Sequence, residues 1–271
     1  MTADKRATIA AVDIGNSRIK VGLFAAEDVA GTAANELPQP LRTHSFLPDE
    51  AGLASLGEWL VPQATGDLSW WVASVQRTFA TRLVDWLRTG SPRQTVLLVS
   101  GDLPLAVSLD RPDMVGIDRL LDAVAVNRLR PVDRPAIIVD LGTAITVDLV
   151  STNGAFLGGA IMPGIGMSAR ALHEFADLLP LLDMVGLAEP PTALGTDTVA
   201  AMRAGIFWGA VGGIRRLVEE LSRSVAGDPQ VFLTGGAAPS VASLIAPGTG
   251  YHPHLTLAAI ALVATQGGGG I

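Results

Sequence analysis

Two segments of the chain share one pattern, in which an apolar run reaches a short polar turn and then resumes. In Ala10–Phe24 the turn follows Asp13, and in Ile137–Val150 it follows Asp140. Apolar residues on both sides of a turn, with alternation after it, predict a β-hairpin. Because the pattern occurs twice, we expect two similar halves that face one ligand.

The turn of the second hairpin has the residues of a phosphate-binding loop. Gly142 has no Cβ, so a ligand can approach the backbone closely, and Thr143 adds a hydroxyl group. Backbone N–H groups at such a tip bind phosphate, and nearby carboxylates such as Asp140 bind the accompanying cation. The alternative is an ordinary hairpin, because turns commonly use these residues.

The remaining pattern alternates between short apolar runs and segments with helical periodicity. We expect strands over 42–46, 69–74, 94–99 and 231–236, and a turn followed by a short strand within 154–164. We expect helices over 48–60, 77–88, 117–129, 198–221 and 255–264, and one within 165–179 that starts at Met167 or Ser168. This alternation of strands and helices predicts an α/β protein.

Composition excludes several classes of protein and of site. The chain has 271 residues, a formal net charge of −7 and no cysteine. The negative charge argues against a nucleic-acid surface, and the lack of cysteine excludes disulfides and cysteine-ligated zinc. No run approaches the roughly 18 apolar residues of a membrane span, and the first residues lack the apolar core of a signal peptide. We therefore expect a cytoplasmic protein with no nucleic-acid or membrane partner.

A second candidate site lies where a helix is predicted to begin after Gly116. Asp118 and Arg119 fall in the first turn of that helix, where the helix dipole favours an ionised carboxylate. An ionised Asp118 could accept a proton from a hydroxyl group, and Arg119 could bind an anion. The alternative is an acid that only stabilises the helix, beside a solvated arginine.

The long helix predicted from Thr198 contains four glycines, at positions 205, 209, 212 and 213. Each glycine costs roughly 1 kcal/mol in an exposed helix, so their presence indicates close packing. That packing is either against a second copy of the chain or against the protein's own sheet. Thr198 itself lies beside Asp197, and the two compete for the role of helix N-cap.

Four motifs in this order resemble the type III pantothenate kinases, within the actin, sugar-kinase and Hsp70 superfamily. They are Asp13-Ile-Gly15-Asn16-Ser17, Gly116-Ile117-Asp118-Arg119, Asp140-Leu-Gly142-Thr143 and Gly158-Gly159-Ala-Ile-Met-Pro-Gly164. The resemblance runs from about Ala10 to Val263. It implies two similar lobes of the actin-like ATPase (ribonuclease H-like) fold, with a ligand cleft between them. The expected domains are an N-terminal lobe, 1–130, and a C-terminal lobe, 131–271.

The resemblance also implies a reaction and its participants. The enzyme would phosphorylate pantothenate with ATP, in the first step of coenzyme A synthesis. It would need Mg²⁺ and a monovalent cation, K⁺ or NH₄⁺, and it would form a homodimer through its long helices.

Site residues follow from the matching positions. Asp118 would be the general base, Asp13 would orient Mg²⁺, and Asp140 would hold the monovalent cation. The residues around ATP would be Asp13, Gly15, Asn16, Ser17, Lys20, Gly142 and Thr143. Those around pantothenate would be Gly116, Ile117, Asp118, Arg119 and Thr198. Lys20 could instead point to solvent, since it lies on an alternating strand.

One departure from the family leaves the substrate open. Relatives often have a tyrosine upstream of the Gly-x-Asp-Arg motif, whereas the stretch 108–112 here has none, and Tyr251 is the only tyrosine in the chain. The alternatives are a sugar-type kinase of the same superfamily and a non-catalytic, nucleotide-binding transcriptional accessory protein. Intact Asp13, Asp118 and Asp140 favour catalysis.

Overall fold

The computed structural model describes residues 7–60, 67–90, 94–184, 189–245 and 248–266. The chain divides into two compact units. The first contains Met1–Leu105, Asp110–Leu129 and His254–Ile271, and the second contains Ala106–Leu109 and Arg130–Pro253.

A five-stranded mixed sheet forms the first unit's centre. Its strands are β1 (Thr8–Ile14), β2 (Ile19–Ala25), β3 (Arg42–Phe46), β4 (Leu68–Ser74) and β5 (Thr95–Leu97). Their order is β3-β2-β1-β4-β5, with β1 antiparallel to β2 and parallel to β4. Residues at alternating positions of β1 and β2, such as Val12 and Val21, are fully buried in the core.

Helices complete the first unit. They are α1 (Ala26–Gly31), α2 (Glu50–Leu60), α3 (Arg77–Gly90), α4 (Ile117–Leu129) and α8 (Leu255–Thr265). On one face of the sheet, α2 and α3 cover the core with Leu53, Leu56 and Leu83. Helix α8 packs against α4 and β1. It is apolar on all sides, as expected for a fully buried helix.

The second unit repeats the arrangement of strands. Its strands are β6 (Ala136–Leu141), β7 (Ala144–Val150), β8 (Phe156–Pro163), β9 (Gln230–Thr234) and β10 (Gly250–Tyr251). Their order is β10-β9-β6-β7-β8, with β6 antiparallel to β7 and parallel to β9. Strands β6 and β7 therefore correspond to β1 and β2, which explains why the same hydrophobic pattern occurs twice.

The described residues of the second unit form three α-helices: α5 (Ile165–Phe175), α6 (Thr198–Arg223) and the short α7 (Ala242–Ile245). Helix α6 buries Phe207, Val211 and Ile214 against β6 and β7.

Both predicted hairpins and the α/β alternation are confirmed, with differences at several element ends. Helix α5 ends at Phe175, before the predicted 179, because the backbone is already extended at Ala176, with φ −136° and ψ 124°. The predicted helix over 48–60 begins at Glu50. Helix α8 groups with the first unit by its contacts, although its position in the chain suggested the second lobe. The expected lobes, 1–130 and 131–271, stay a prediction.

Candidate functional site

The end of β1 positions the first group of candidate residues. Asp13 lies opposite Lys20 on β2 and opposite Ala73 on β4, and it is largely buried. The tip that follows is closed by a hydrogen bond from the Gly15 N–H to the Arg18 carbonyl, 3.1 Å. Asn16 is exposed at this tip and Ser17 is partly buried.

The first turn of α4 positions Asp118. Its Oδ1 accepts a hydrogen bond from the Arg119 N–H at 2.8 Å. A Cβ at Gly116 would lie 2.5 Å from the same oxygen, so only glycine leaves room for this side-chain conformation. The site of that absent Cβ is also 3.6 Å from Val75, which directly follows β4. Gly116 and Asp118 therefore lie at the carboxyl end of β4.

Electrostatics connect the two acids of the first unit. The pKa of Asp13 is raised to about 6, mainly by burial; nearby Lys20 opposes the rise, and the charge of Asp118 adds to it. The structure therefore brings Lys20 and Asp118 close enough to Asp13 to affect its pKa. Lys20 does not simply point to solvent, because it is partly buried beside Asp13.

The hairpin of the second unit has a shorter tip. The Gly142 N–H donates to the Ala144 carbonyl at 3.1 Å, so only Gly142 and Thr143 separate β6 from β7. Gly142 is exposed and Thr143 is partly buried. Within the sheet, Asp140 lies opposite Thr146 on β7 and Thr234 on β9.

Gly164 supports this tip and was not among the predicted site residues. Its N–H donates to the Thr143 carbonyl at 3.1 Å, and a Cβ at this position would collide with the carbonyl oxygens of Gly142 and Thr143. Gly164 is also the N-cap of α5, so this helix begins directly against the tip. The signal in the sequence was the Pro163-Gly164 pair, which predicts a turn but not its neighbour.

Two consecutive glycines after β9 differ in their surroundings. Gly235 has a φ of +93°, and a Cβ there would collide with the Asp140 carboxylate and lie 2.5 Å from the Leu141 nitrogen. At Gly236 no described atom lies within 4 Å of the Cβ position. Gly235 therefore leaves room for the Asp140 carboxylate, whereas the space beside Gly236 is unoccupied by described atoms.

Thr198 is the first residue of α6, but it is not the helix cap. The Asp197 side chain accepts from the Ala200 N–H at 2.9 Å and fills that role, which leaves the exposed Thr198 hydroxyl available for other contacts. Thr198 lines an open groove of about 870 Å³ between α5 and α6. The groove is mainly apolar, with Met162, Phe175 and Ile206 in its wall.

The described residues contain no group of three or more His, Asp or Glu side chains that could hold a metal ion by themselves. Among their helices, none combines the length and apolar character that crossing a membrane requires.

Comparison with protein families gives one match over most of the chain. Residues 9–220 match the family described as type III pantothenate kinase. Proteins named type III pantothenate kinase include one from Anaeromyxobacter dehalogenans, 32% identical, where the match covers 91% of this chain and 94% of that protein. The one from Dehalococcoides mccartyi is 34% identical, with 92% of each covered.

Some relatives are matched over a shorter region. The protein of the same name from Acidiphilium cryptum is 40% identical over 169 residues, and this chain spans only 60% of its length. Four other relatives are matched over 51% to 61% of their own length.

Comparison of structures shows the fold. The inorganic polyphosphate/ATP-glucomannokinase from Arthrobacter sp. strain KM aligns with a TM-score of 0.51 at 14% identity, over 96% of this chain and 99% of that one. The ethanolamine utilization protein EutJ from Carboxydothermus hydrogenoformans aligns with a TM-score of 0.52 at 13% identity, over 94% and 90%. The predicted actin-like α/β fold is thereby confirmed.

Proposed function

This chain belongs to the type III pantothenate kinase family, and on that premise we propose that it phosphorylates pantothenate with ATP. The products would be 4′-phosphopantothenate and ADP, in the first step of coenzyme A biosynthesis. The observation that carries the proposal is the grouping of Asp13, Lys20 and Asp118 at one end of the first sheet. Phosphoryl transfer needs such a grouping, because it depends on positioning and on charge neutralisation.

Asp118 acts as the general base in this proposal. The Asp118 carboxylate takes the proton of the primary hydroxyl while that oxygen bonds to the γ-phosphorus and the bond to the ADP oxygen breaks. The Arg119 N–H already holds one carboxylate oxygen, Oδ1, at 2.8 Å, so the second oxygen can face the substrate. The Arg119 guanidinium is a suitable partner for the pantothenate carboxylate, since it can bind such a group with two hydrogen bonds.

The two hairpin tips supply the groups for the triphosphate. Gly15, Asn16 and Ser17 offer backbone N–H groups and polar side chains, and Lys20 offers a positive charge beside Asp13. Gly142 and Thr143 offer the corresponding groups on the second unit.

The surroundings of Asp13 fit a divalent cation. Its carboxylate has a raised pKa because it is buried near Asp118, so its ionised form gains from an added positive charge. Mg²⁺ is commonly bound through one or two carboxylates together with substrate phosphates, which agrees with the lack of a larger cluster among the described acids. When bound, Mg²⁺ neutralises charge on the phosphates.

For the monovalent cation, K⁺ or NH₄⁺, we propose Asp140 as a ligand. The Asp140 carboxylate rests against Gly235 and lies opposite Thr146 and Thr234 in the sheet. Carboxylate and hydroxyl oxygens are suitable partners for such a cation.

We also propose a homodimer formed through α5 and α6. No described atom lies within 4 Å of a Cβ position at Gly205, Gly209 or Gly212, so these glycines do not pack on the protein's own sheet. Nearby, Phe175 is 84% exposed and Leu178 is 88% exposed. Contiguous apolar surface of this kind marks interaction sites.

We also propose that the protein is located in the cytoplasm, where the reactions that supply ATP occur.

An assay of ADP release tests the function. The protein is incubated with ATP, Mg²⁺ and K⁺, with and without pantothenate. We expect ADP release that depends on pantothenate, and loss of at least about 100-fold in kcat for Asp118→Asn with little change in nucleotide binding. Asp85→Asn, which changes an exposed acid on α3, serves as the matched control.

The same assay separates the alternatives. ADP release with a hexose but not with pantothenate would indicate a sugar-type kinase. Nucleotide binding without turnover on either alcohol would indicate a regulatory protein and would refute the proposal.

A further inference from the structure

Helix α4 carries a second acid that the proposed reaction does not use. Asp122 is 3% exposed, which is unusual for a carboxylate. It follows Asp118 by four residues, so the two side chains lie on the same side of α4, one turn apart. Retaining a buried acid directly behind the candidate base requires a physical reason.

One partner of Asp122 is on the last helix of the described chain. The Thr256 hydroxyl donates a hydrogen bond to Asp122 Oδ1 at 2.7 Å. Thr256 is itself 8% exposed and lies in α8. The only other polar residue of α8 is Thr265, which is exposed at its far end.

The rest of α8 cannot fix its position along its axis strongly. Residues 257–263 are Leu-Ala-Ala-Ile-Ala-Leu-Val, all buried. Apolar contacts are not directional, so they select one helix register less sharply than a buried polar pair, which is a well-attested way to select one. A displaced α8 would bury the Asp122 carboxylate without the Thr256 hydroxyl.

Helix α8 also contacts the strand that carries the other acid. It packs against β1 as well as against α4. Asp13 lies near the end of β1, and Asp118 lies in the first turn of α4. Within the first unit, α8 therefore joins the two elements whose carboxylates must be held at a fixed separation.

We propose that Asp122 and Thr256 are positioning residues, whose hydrogen bond fixes the axial position of α4 and α8 relative to each other and thereby the place of Asp118. The effect on catalysis rests on the proposed function. Because a displacement of about 1 Å at a reacting group can cost about 100-fold in rate, loss of this bond should reduce kcat far more than it changes nucleotide binding.

The test compares three variants of the full chain. Thr256→Val keeps the side-chain shape but removes the donor, so we expect kcat to fall by roughly 10- to 100-fold and Tm to fall. Thr256→Ser keeps the hydroxyl and should retain kcat within about threefold of the wild type. Thr265→Val, at the exposed end of α8, is the control and should change neither quantity.

A double variant distinguishes positioning from a purely structural role. In Asp122→Leu combined with Thr256→Val, both members of this hydrogen bond are replaced by apolar groups, so neither is left buried without the other. We expect Tm to return to within a few degrees of the wild type while kcat stays low. Recovery of kcat together with Tm would refute positioning, as would a normal kcat in Thr256→Val.

Hydrogen exchange provides a readout that does not depend on activity. The amides of Leu120 and Leu121, in the second turn of α4, should exchange faster in the double variant than in the wild type, although the two proteins have similar Tm. Unchanged exchange would overturn the proposal. If exchange responds but the wild type releases no ADP with pantothenate, the proposed function fails while the role of the hydrogen bond stands.

Discussion

Replacing Asp13 by asparagine is expected to stabilise the ligand-free protein at neutral pH while removing its response to Mg²⁺ and ATP. Asp13 is largely buried at the end of β1, and its pKa is raised from 3.8 to about 6, first by burial and then by the charge of Asp118. A raised carboxylate pKa means that ionising Asp13 costs more free energy in the folded protein than in the unfolded chain. Asparagine has a similar shape and no charge to bury.

The sign and the magnitude follow from the two pKa values. Below pH 3.8, Asp13 is protonated in both the folded and the unfolded state, and the folded protein bears no cost. As pH rises from 3.8 through about 6, the unfolded state ionises first, so stability is lost over this range. Each pKa unit corresponds to about 1.36 kcal/mol, so the full cost is about 3 kcal/mol above pH 7 and about 1 kcal/mol at pH 4.5.

Unfolding by urea at several pH values measures this difference. We expect Asp13→Asn to exceed the wild type by about 1 kcal/mol at pH 4.5 and by about 3 kcal/mol at pH 8, which is a rise in Tm of roughly 6 to 12 °C at pH 8. Mg²⁺ with ATP should then raise the Tm of the wild type and leave the Tm of the variant nearly unchanged.

The control is Asp85→Asn, which removes an exposed carboxylate from α3 in the same unit. Its stability relative to the wild type should not change between pH 4.5 and pH 8. An Asp13→Asn variant that exceeds the wild type in unfolding free energy by the same amount at both pH values, or that is less stable than the wild type at pH 8, would refute this reasoning.

Three further substitutions, one of them paired with a control, test other parts of the structure. Gly235→Ala should lower Tm and weaken activation by K⁺, because the added Cβ would collide with the Asp140 carboxylate and because φ at this position is +93°. As the control, Gly236→Ala should leave Tm and K⁺ activation unchanged. Asp197→Ala should cost about 1 kcal/mol in urea unfolding through loss of the α6 cap, and an unchanged midpoint would contradict the capping geometry. Phe175→Glu should convert the dimer to a monomer, so the mass measured by light scattering should halve. The fold of each protomer should not lose stability, since this ring is 84% exposed. A dimer that persists would place the interface elsewhere.

The hydrophobic pattern predicted the hairpins because their first strands are buried on both faces and form continuous apolar runs. Ile9 to Ile14 and Ile137 to Leu141 are nearly all buried, so their apolar character is visible without knowledge of any partner. The Gly-x-Asp-Arg motif was likewise visible as a helix start, because Asp118 and Arg119 act within one turn.

Contacts between distant segments could not be predicted in this way. Thr256 is 134 positions from Asp122, and a lone threonine in an apolar helix carries no sign of its partner. The same holds for Gly164, which supports the tip at Thr143, and for Gly235, which makes room for Asp140. A glycine in the sequence indicates that another group approaches closely, but only the fold shows which residue that is.

The return of α8 to the first unit has a consequence for synthesis on the ribosome. Chains fold from the amino end as they emerge, yet the sheet that starts at Thr8 obtains one of its covering helices from residues 255–265. The second unit, by contrast, has all of its strands once Tyr251 has been made. The apolar surface of the first sheet that α8 covers therefore stays exposed to solvent until residues 255–265 have left the exit tunnel.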